Sequence, residues 1–496
     1  MAMKYIYMLK KRSVRAVYNL QDIGADIESV IVQFFGDNLK DVHVEKDYFE
    51  FTLKRCTDNS RLREMGKRLK QGGGPDSGFI RQTQSMYAIV NKLNDYIDVE
   101  FVDKGIASED LEDRIMRSKV YGEGLPEWVN RVDYIDVYST QLTIEEYNRL
   151  FHEKISSEEE FERERLYEVK LRHRHVDRDT MFDEKSKFFY IEHLYTEDEN
   201  YYYYYDWAQI WVVKGRADNN ILDKINHSMR IDEPTDEEGG IPSEWGSCKT
   251  EYIFRVHNVG QGLATSLACG NEKPFFYFDY GLAYGRNKFT IPAGTILPIK
   301  EQGIIVLSHI HQDHWCGFRT NNDALRANWF FPRRRKSRSI NHLIARIIRE
   351  GGTVHYHSGL GSVKIEISNS SSSNVSPIRP PKDIHQDGYA MYIDAICCDT
   401  GEPCSILVSG DQDYDYQNLA KLQDIDILVA CHHGGKYCWS VRGMLPTPAK
   451  DKSIVIYSYG AGNTHGHPSK CADYIAAGWR NRFDTISGDY SKQIYL

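Results

Sequence analysis

The sequence predicts an α/β fold for residues 249–496, preceded by an α+β domain over residues 1–231 and a linker over 232–248. Three observations support this division. The chain has 496 residues, which is more than one ordinary hydrophobic core accommodates. Its two halves differ in charge and in cysteine content. Beyond residue 250, apolar strands alternate with helical segments, which is typical of an α/β domain.

The charge and cysteine counts set limits on the class of protein. Residues 1–240 contain 35 Lys and Arg against 48 Asp and Glu, a formal charge of −13, whereas residues 241–496 contain 27 against 23, a charge of +4. Nine of the ten cysteines lie beyond residue 240, without a paired motif of the zinc-ribbon type. We therefore expect small buried thiols in a cytoplasmic protein. No apolar run reaches the roughly 18 residues that span a bilayer, so no membrane partner is expected.

The first half gives secondary-structure predictions but no motif for an activity. Alternation over 41–55 predicts a strand, and the charged segment 156–175, with a serine cap, predicts an exposed helix. The run Tyr201–Tyr205 predicts either a strand with aromatic packing on both faces or a stacking platform for a ligand. The acidic segment 230–248, which contains two prolines and a Gly-Gly pair, predicts the domain boundary. Residues 1–231 are expected to bind a partner or a substrate.

In the second half, polar residues follow the apolar strands. "GIIVLSHIHQDH" places His309, His311, Asp313 and His314 directly after one strand. Alternate residues of an extended segment point the same way, so the first two histidines could share one metal ion, and the turn that follows could bring the other two residues to a second ion. Imidazole and carboxylate ligands suit zinc, manganese or iron.

Later strand ends supply further candidate ligands. "SILVSGDQD", "DIDILVACHHGG" and "SIVIYSYGAGNTHGHP" deliver Asp411, the pair His432 and His433, and the pair His465 and His467. Each of these residues alone could be a turn cap or a surface histidine. Because all of them follow strands and come after the first histidine cluster, the sequence predicts a metal site.

Six motifs in this order resemble a known family. They are "VGQG" (259–262), "FDYG" (278–281), "SHIHQDH", "LVSGD", "CHHGG" and "NTHGHP". Together they resemble the C-terminal domain of DNA-internalisation competence proteins, a group with the metallo-β-lactamase fold, and phosphorylcholine esterases are similar. The resemblance covers about residues 250–496. It implies an αββα sandwich with two internally similar halves and two divalent metal ions, zinc or manganese.

The resemblance also implies roles for individual residues. His309 and His311 would bind one metal, Asp313 and His314 the other, with Asp411 bridging and His433 completing the second site. Asp313, His432 and His467 would serve catalysis, the two histidines lying near a substrate phosphate as hydrogen-bond donor or general acid. Asp279 would orient a ligand histidine from outside the coordination sphere.

The sequence departs from the family pattern at two points. Leu263 stands where the family usually has an aspartate after "VGQG", which removes one polar group near the site. The histidine that many related enzymes carry between the first cluster and the Asp411 motif has no clear counterpart, and His357 and His385 are the two candidates.

The expected function is that of a phosphodiesterase or nuclease whose attacking hydroxide bridges two metal ions. The run "PRRRKSR" contains Arg333, Arg334, Arg335 and Lys336, which could contact a nucleic-acid backbone; it could equally be a solvated loop or pair with the acidic first half. Two alternatives stay open. One is a metal-dependent peptidase, lactonase or other ester hydrolase, and the other is a regulated effector or sensor whose N-terminal domain binds a protein partner.

Overall fold

The computed structural model describes part of the chain. The described residues are 14–19, 39–45, 48–53, 83–92, 97–104, 137–156, 164–174, 189–190, 192–193, 207–215, 217, 219–229, 248, 251–332, 337–357, 359–361, 365–368, 388–417, 421–437 and 445–496. Within these ranges the protein is a mixed α/β structure with few helices and large sheets. None of the described helices is long and apolar enough to cross a membrane.

The elements are numbered in chain order. The strands are β1 (Val14–Asn19), β2 (Leu39–Glu45), β3 (Tyr48–Leu53), β4 (Thr83–Lys92), β5 (Ile97–Asp103), β6 (Val137–Leu142), β7 (Arg165–Arg174), β8 (Phe189–Tyr190), β9 (Glu192–His193), β10 (Trp207–Lys214), β11 (Tyr252–Val256), β12 (Ala264–Cys269), β13 (Phe276–Tyr280), β14 (Ile304–Val306), β15 (Asn328–Pro332), β16 (Thr353–His357), β17 (Leu360–Gly361), β18 (Ile365–Ser368), β19 (Ala390–Cys397), β20 (Pro403–Val408), β21 (Ile427–Val429), β22 (Ile454–Tyr457), β23 (Asn481–Asp484) and β24 (Tyr490–Tyr495). The α-helices are α1 (Ile144–Phe151), α2 (Asn219–Ser228), α3 (Arg338–Arg349) and α4 (Cys471–Ala476).

The chain forms two compact units. One comprises residues 1–84, 171–184 and 199–209, and the other 85–170, 185–198 and 210–496. The predicted linker, apart from Cys248, lies outside the described residues, and so does the tyrosine run. The division at 232–248 therefore stays a prediction. In the structure, however, residues 85–170 belong to the same compact unit as the whole C-terminal region.

The first half contributes two sheets. Strands β1, β3 and β2 form a small antiparallel sheet. The segment 41–55, predicted as one strand, is extended as expected but holds two antiparallel strands, the end of β2 and the whole of β3. A seven-stranded sheet has the order β8-β10-β7-β4-β5-β6-β9.

The helix predicted over 156–175 is wrong where the structure describes it, because β7 occupies Arg165–Arg174. Tyr167, Val169 and Leu171 are buried at a period of two, which is the period of a strand and not of a helix.

The C-terminal region forms one large sheet of fourteen strands. Its main path is β16-β15-β14-β13-β12-β11-β24-β19-β20-β21-β22-β23, with β18 added beside β19 and β17 beside β18. Two runs of parallel strands, β13 to β16 and β20 to β23, lie at its ends, and antiparallel strands join them in the middle. The predicted helix in "RSINHLIARIIREGG" is present as α3, capped by Ser337 and followed by two glycines.

Alternate residues of the parallel strands enter different apolar clusters. In β21, Ile427 and Val429 belong to one cluster and Leu428 to another. The first of these, the central cluster, draws side chains from both halves of the sheet: Phe254, Val256, Phe278, Val306, Ile393, Ile406, Val408, Val429 and Ile456. Strands buried on both faces are typical of parallel sheets covered on both sides. Such strands are rigid, so the loops at their ends are held in fixed positions.

The expectation of unpaired cysteines is wrong for one pair. Cys248 and Cys269 are joined in a disulfide, with Cα atoms 5.6 Å apart. The bond ties the chain entering β11 to the end of β12, its antiparallel neighbour.

The first half and the C-terminal region share a buried ion pair. Glu100 of β5 accepts hydrogen bonds from the guanidinium of Arg338 (3.0 Å) and from the amide and hydroxyl of Ser339 (3.0 and 2.8 Å), at the start of α3. The side chains of Glu100 and Arg338 are each 1% exposed. Glu164 lies 3.7 Å from the same guanidinium, and Asn226 also accepts from it. A buried charge is tolerated only when it is paired in this way.

We expect the substitution Glu100→Gln to lower the free energy of unfolding by roughly 3 kcal/mol, because it leaves the buried Arg338 short of its main counter-charge. Urea unfolding followed by tryptophan fluorescence would measure this. Glu272→Gln is the matched control, since Glu272 pairs with Lys300 in solvent and its loss should cost less than about 1 kcal/mol. Equal destabilisation by the two substitutions would contradict a structural role for the buried pair.

Candidate metal centre

Five strand ends converge on the candidate site. Asp279 lies in β13, the cluster 309–314 follows β14, Asp411 follows β20, His432 and His433 follow β21, and the loop with His467 follows β22. Strands β13 and β14 are parallel, as are β20, β21 and β22. Because parallel neighbours end at the same edge of a sheet, each half of the sheet delivers its polar residues at one edge.

The first ligand group consists of His309, His314 and Asp411. Their ligand atoms lie within 4.8 Å of one another, and all three residues are buried. The Nε2 atom of His314 lies 3.3 Å from Oδ1 of Asp411, and Nε2 of His309 lies 3.6 Å from Oδ2. One carboxylate therefore faces two imidazoles.

The second ligand group, Asp313, His314 and His433, shares His314 with the first. Nε2 of His433 lies 3.3 Å from Oδ2 of Asp313, and Nε2 of His314 lies 4.0 Å from Oδ1 of the same residue. Asp411 is close to this group too, with its Oδ1 3.8 Å from Nε2 of His433. His314 and Asp411 thus lie between the two groups.

Hydrogen bonds at Nδ1 fix which nitrogen of each neutral imidazole carries the hydrogen. Nδ1 of His314 donates to Asp279 Oδ2 (2.8 Å), and Nδ1 of His433 donates to the carbonyl of Ser458 (2.8 Å). The Ser308 hydroxyl donates to Asp279 (2.7 Å) and so accepts from Nδ1 of His309 (2.9 Å). In all three, the Nε2 lone pair is directed at the carboxylates, which is the arrangement of histidines that bind a metal.

The site fits a cation. The Nε2 atoms of His314 and His433 are buried and have no hydrogen-bond partner among the described residues. Each Nε2 faces a carboxylate oxygen at 3.3 Å, an approach that is favourable only with a positive charge between the two atoms, either a metal ion or the proton of an imidazolium. Imidazole and carboxylate donors are those that transition metals and zinc accept. These two groups could therefore hold a metal ion.

The carboxylates are ionised at neutral pH. Burial by itself would raise the pKa of Asp313, but the neighbouring His314 and His433 outweigh it and lower that pKa. Burial opposes ionisation of Asp411 too, yet His314, His432 and His433 hold its pKa well below the usual range. Both residues are consequently available as anionic ligands.

Backbone geometry at the site is unusual. Asp279, His432 and His433 have φ values of 58°, 49° and 56°, in the left-handed region that residues with a side chain rarely adopt. Such strain persists only where surrounding contacts determine it. Gly281 shows how tight the packing is, because a Cβ atom there would lie 1.9 Å from the carbonyl oxygen of Asp313. No side chain is compatible with that approach.

The remaining predicted residues lie around these groups. The ring of His311 is 4.6 Å from that of His309, but His311 belongs to neither ligand group. Nε2 of His432 lies 3.8 Å from Oδ2 of Asp411. The ring of His467 lies 5.3 Å from that of His432, and burial, together with His433 and His465, lowers the pKa of His467 to about 3.

The other candidates lie outside the described residues or contribute in a different way. Arg333, Arg334, Arg335, Lys336 and His385 lie outside the described residues. Arg338, which ends the same basic run, is buried against Glu100, as the alternative of pairing with the acidic half expected. Leu263 places its side chain in the central cluster. Its backbone amide donates to the carbonyl of Asp313 (3.1 Å), so this position supports the site through its main chain.

Sequence reasoning missed the residues that support the ligands. Ser308 opens the "SHIHQDH" motif, yet no role was predicted for it. Ser458 lies outside the six motifs, and its contribution is a backbone carbonyl, which any residue could supply. Gln312 donates to the hydroxyl of Ser139 in β6 (2.7 Å), a residue 173 positions earlier in the chain. No pattern in the sequence links these two.

A comparison with protein-family models and with curated proteins gives no match. The chemistry of the site therefore has to be argued from its own geometry.

His357, a candidate for the missing metal histidine, is a core residue. It is 2% exposed, its Nε2 donates to the carbonyl of Leu307 (3.3 Å), and its ring packs on Tyr389 with centroids 4.7 Å apart. Burial lowers the pKa of His357 to about 4.

This burial predicts an acid-dependent loss of stability. In the unfolded chain a histidine has a pKa near 6.5, so between about pH 6.5 and 4 the unfolded state binds a proton that the folded state does not. The burial of neutral His357 therefore costs no stability above about pH 6.5, and the free energy of unfolding decreases as the pH falls from there to 4. We expect the unfolding free energy of the wild type to fall by up to about 3 kcal/mol more than that of His357→Gln over this interval. Urea unfolding at a series of pH values measures it. Parallel curves for the two proteins would show that the expectation is wrong.

We expect Asp279→Asn to weaken metal binding by about 10- to 100-fold, because the ring of His314 loses its anionic acceptor. Asparagine tolerates the left-handed backbone at this position, so the loop geometry should be kept. Competition with a chelating indicator measures the affinity. Asp399→Asn is the control, since Asp399 pairs with Lys492 at the surface. An affinity that Asp279→Asn leaves unchanged would contradict the orienting role.

Proposed function

We propose that the protein is a dimetal hydrolase that cleaves phosphodiesters, with nucleic acid as the favoured substrate and zinc or manganese as the metal. The observation that carries this proposal is the pair of ligand groups that share His314 and face Asp411. Two adjacent sites with a carboxylate between them suit a pair of ions, and paired ions suit in-line displacement at phosphorus.

The architecture supports the same proposal. A central cluster drawn from both halves of the large sheet, with separate clusters on the outer faces, is what an αββα sandwich of the metallo-β-lactamase type requires. The repeated pattern of parallel strands, β13 to β16 and β20 to β23, fits two internally similar halves. The order of motifs from "VGQG" to "NTHGHP" supports the competence-like group within that fold.

In the proposed mechanism the residues of the chain have distinct tasks. His309, Asp313, His314, Asp411 and His433 would hold the ions, and His311, beside His309, would join them. When bound, the ions lower the pKa of a water molecule and neutralise the charge of the phosphate. Asp279 and the Ser458 carbonyl keep the Nε2 atoms of His314 and His433 directed inward. His432 and His467, next to the two ligand groups, contact the oxygens of the substrate.

The test is a hydrolysis assay with the full chain loaded with zinc or manganese. Substrates are bis-p-nitrophenyl phosphate and labelled single- and double-stranded DNA and RNA. We expect cleavage that a chelator abolishes. His309→Ala and Asp411→Ala should each reduce the cleavage rate by about 1000-fold or more, because the loss of one metal ligand disables a site whose residues act as one unit. His227→Ala, on the exposed face of α2, is the control and should retain full activity.

Two outcomes would overturn the proposal. One is cleavage that survives in both ligand variants, which would place the activity elsewhere. The other is a metal-loaded wild type that hydrolyses lactones, aryl esters or peptides but no phosphodiester, which would assign the site to a different hydrolase.

A further inference from the structure

Gln261, which no motif assigned a role, bridges two loops beside the candidate metal centre. Its side chain is buried, and Gly460 donates its amide hydrogen to Oε1 (3.4 Å). The carboxamide is thereby oriented, because only its oxygen can accept. The opposite end, Nε2, is then the donor that faces Nδ1 of His467 at 3.1 Å.

This hydrogen bond determines the protonation of His467. A ring nitrogen that accepts a hydrogen bond carries no hydrogen, so Nδ1 is bare and the neutral ring carries its hydrogen on Nε2. The imidazolium form, which has hydrogens on both nitrogens, would place two donors face to face. His467 differs in this from His309, His314 and His433, whose hydrogens are on Nδ1.

The surroundings hold His467 in place. Asn463 accepts from its backbone amide (3.0 Å) and donates to its carbonyl (2.7 Å), and Thr290 accepts from the amide of Gln261 (2.9 Å). Gly435 leaves space next to the ring, since a Cβ atom there would lie 2.5 Å from Nε2 of His467. A side chain at position 435 would therefore press on the Nε2 edge of this ring.

We propose that Gln261 is a positioning residue, which fixes the His467 ring with its hydrogen on Nε2, so that Nε2–H donates a hydrogen bond to a non-bridging oxygen of the phosphate and does not protonate the leaving group. This rests on the proposed function and deepens it. If His467 gave up the Nε2 hydrogen while Nδ1 still accepted from Gln261, an imidazolate would remain, and imidazolate is far too basic to form there. In this role the Nε2–H bond of His467 stays intact, so the ring stabilises charge on the phosphate as a fixed dipole.

The kinetic test compares two substrates that differ only in leaving group, methyl p-nitrophenyl phosphate and methyl phenyl phosphate. The variants are Gln261→Met, His467→Ala and the double substitution. We expect kcat to fall about 100-fold in His467→Ala and about 10-fold in Gln261→Met, by the same factor for both substrates. The double variant should match His467→Ala alone, because Gln261 acts through His467. A much larger loss with the phenyl leaving group would overturn the proposal and identify a general acid.

The second measurement needs no substrate. Proton-detected NMR of protein labelled with ¹⁵N-histidine distinguishes protonated from bare ring nitrogens, and the spectrum of His467→Ala identifies the signal of His467. We expect a bare Nδ1 and a protonated Nε2 in the wild type, and exchange between the two forms in Gln261→Met. A protonated Nδ1 in the wild type would overturn the assignment to Gln261. If the wild type shows a bare Nδ1 on His467 but cleaves no phosphodiester, the assignment to Gln261 stands. The proposed function, and with it the contact between His467 and a phosphate oxygen, would then be overturned.

Discussion

The C-terminal region depends on one electrostatic constraint, which is that the buried carboxylate of Asp411, the half-buried carboxylate of Asp313 and three buried imidazoles meet in one place. Asp411 is 3% exposed, and His309 and His314 are more deeply buried still. A charge in such surroundings is tolerated only with a partner and with its hydrogen bonds satisfied. Every imidazole meets this requirement on its Nδ1 side through a protein acceptor, which leaves Nε2 for a cation. The strained backbone at His433, and at the neighbouring Asp279 and His432, follows from the same constraint, because the carboxylates and rings have to converge from separate loops.

Much of the site could be predicted because its chemistry depends on residue type. His309, Asp313 and Asp411 stand in patterns whose only economical explanation is a metal, and each follows an apolar strand that the sequence shows plainly. The orienting role of Asp279 was implied only by the family resemblance. The histidine that Asp279 orients, His314, could not be predicted, because the choice of ring depends on the left-handed turn at the end of β13. Ser458 acts through a backbone carbonyl, and Leu263 through its amide, so their side chains carried no information about these roles.

The fold was predictable to a similar degree. Strands of the C-terminal region are apolar and end in glycine or polar turns, so their positions could be read along the chain. The segment 165–174 was misjudged because charged residues suggested an exposed helix, whereas Tyr167, Val169 and Leu171 are buried on a strand of the seven-stranded sheet. Tertiary packing there outweighs local propensity. Glu100 and Arg338 are 238 residues apart in the sequence, and no local pattern at either residue indicates that they pair.

Residues from the first half take part in holding the loop that carries the candidate ligands. Gln312, between two residues of the histidine cluster, donates to Ser139 of β6, and the Ser139 hydroxyl is hydrogen-bonded to Tyr284 (2.7 Å). Ser339, at the start of α3, also accepts from Gln312 (3.5 Å) and is itself bonded to Glu100. A polar network therefore runs from β5 and β6 to the loop that carries Asp313. Hydrogen bonds in such a buried network are satisfied only when both sides are present. Cutting the chain at residue 249 would leave Gln312 and Arg338 facing solvent or one another, so the shape of the metal loop depends on strands that lie more than 150 residues earlier in the sequence.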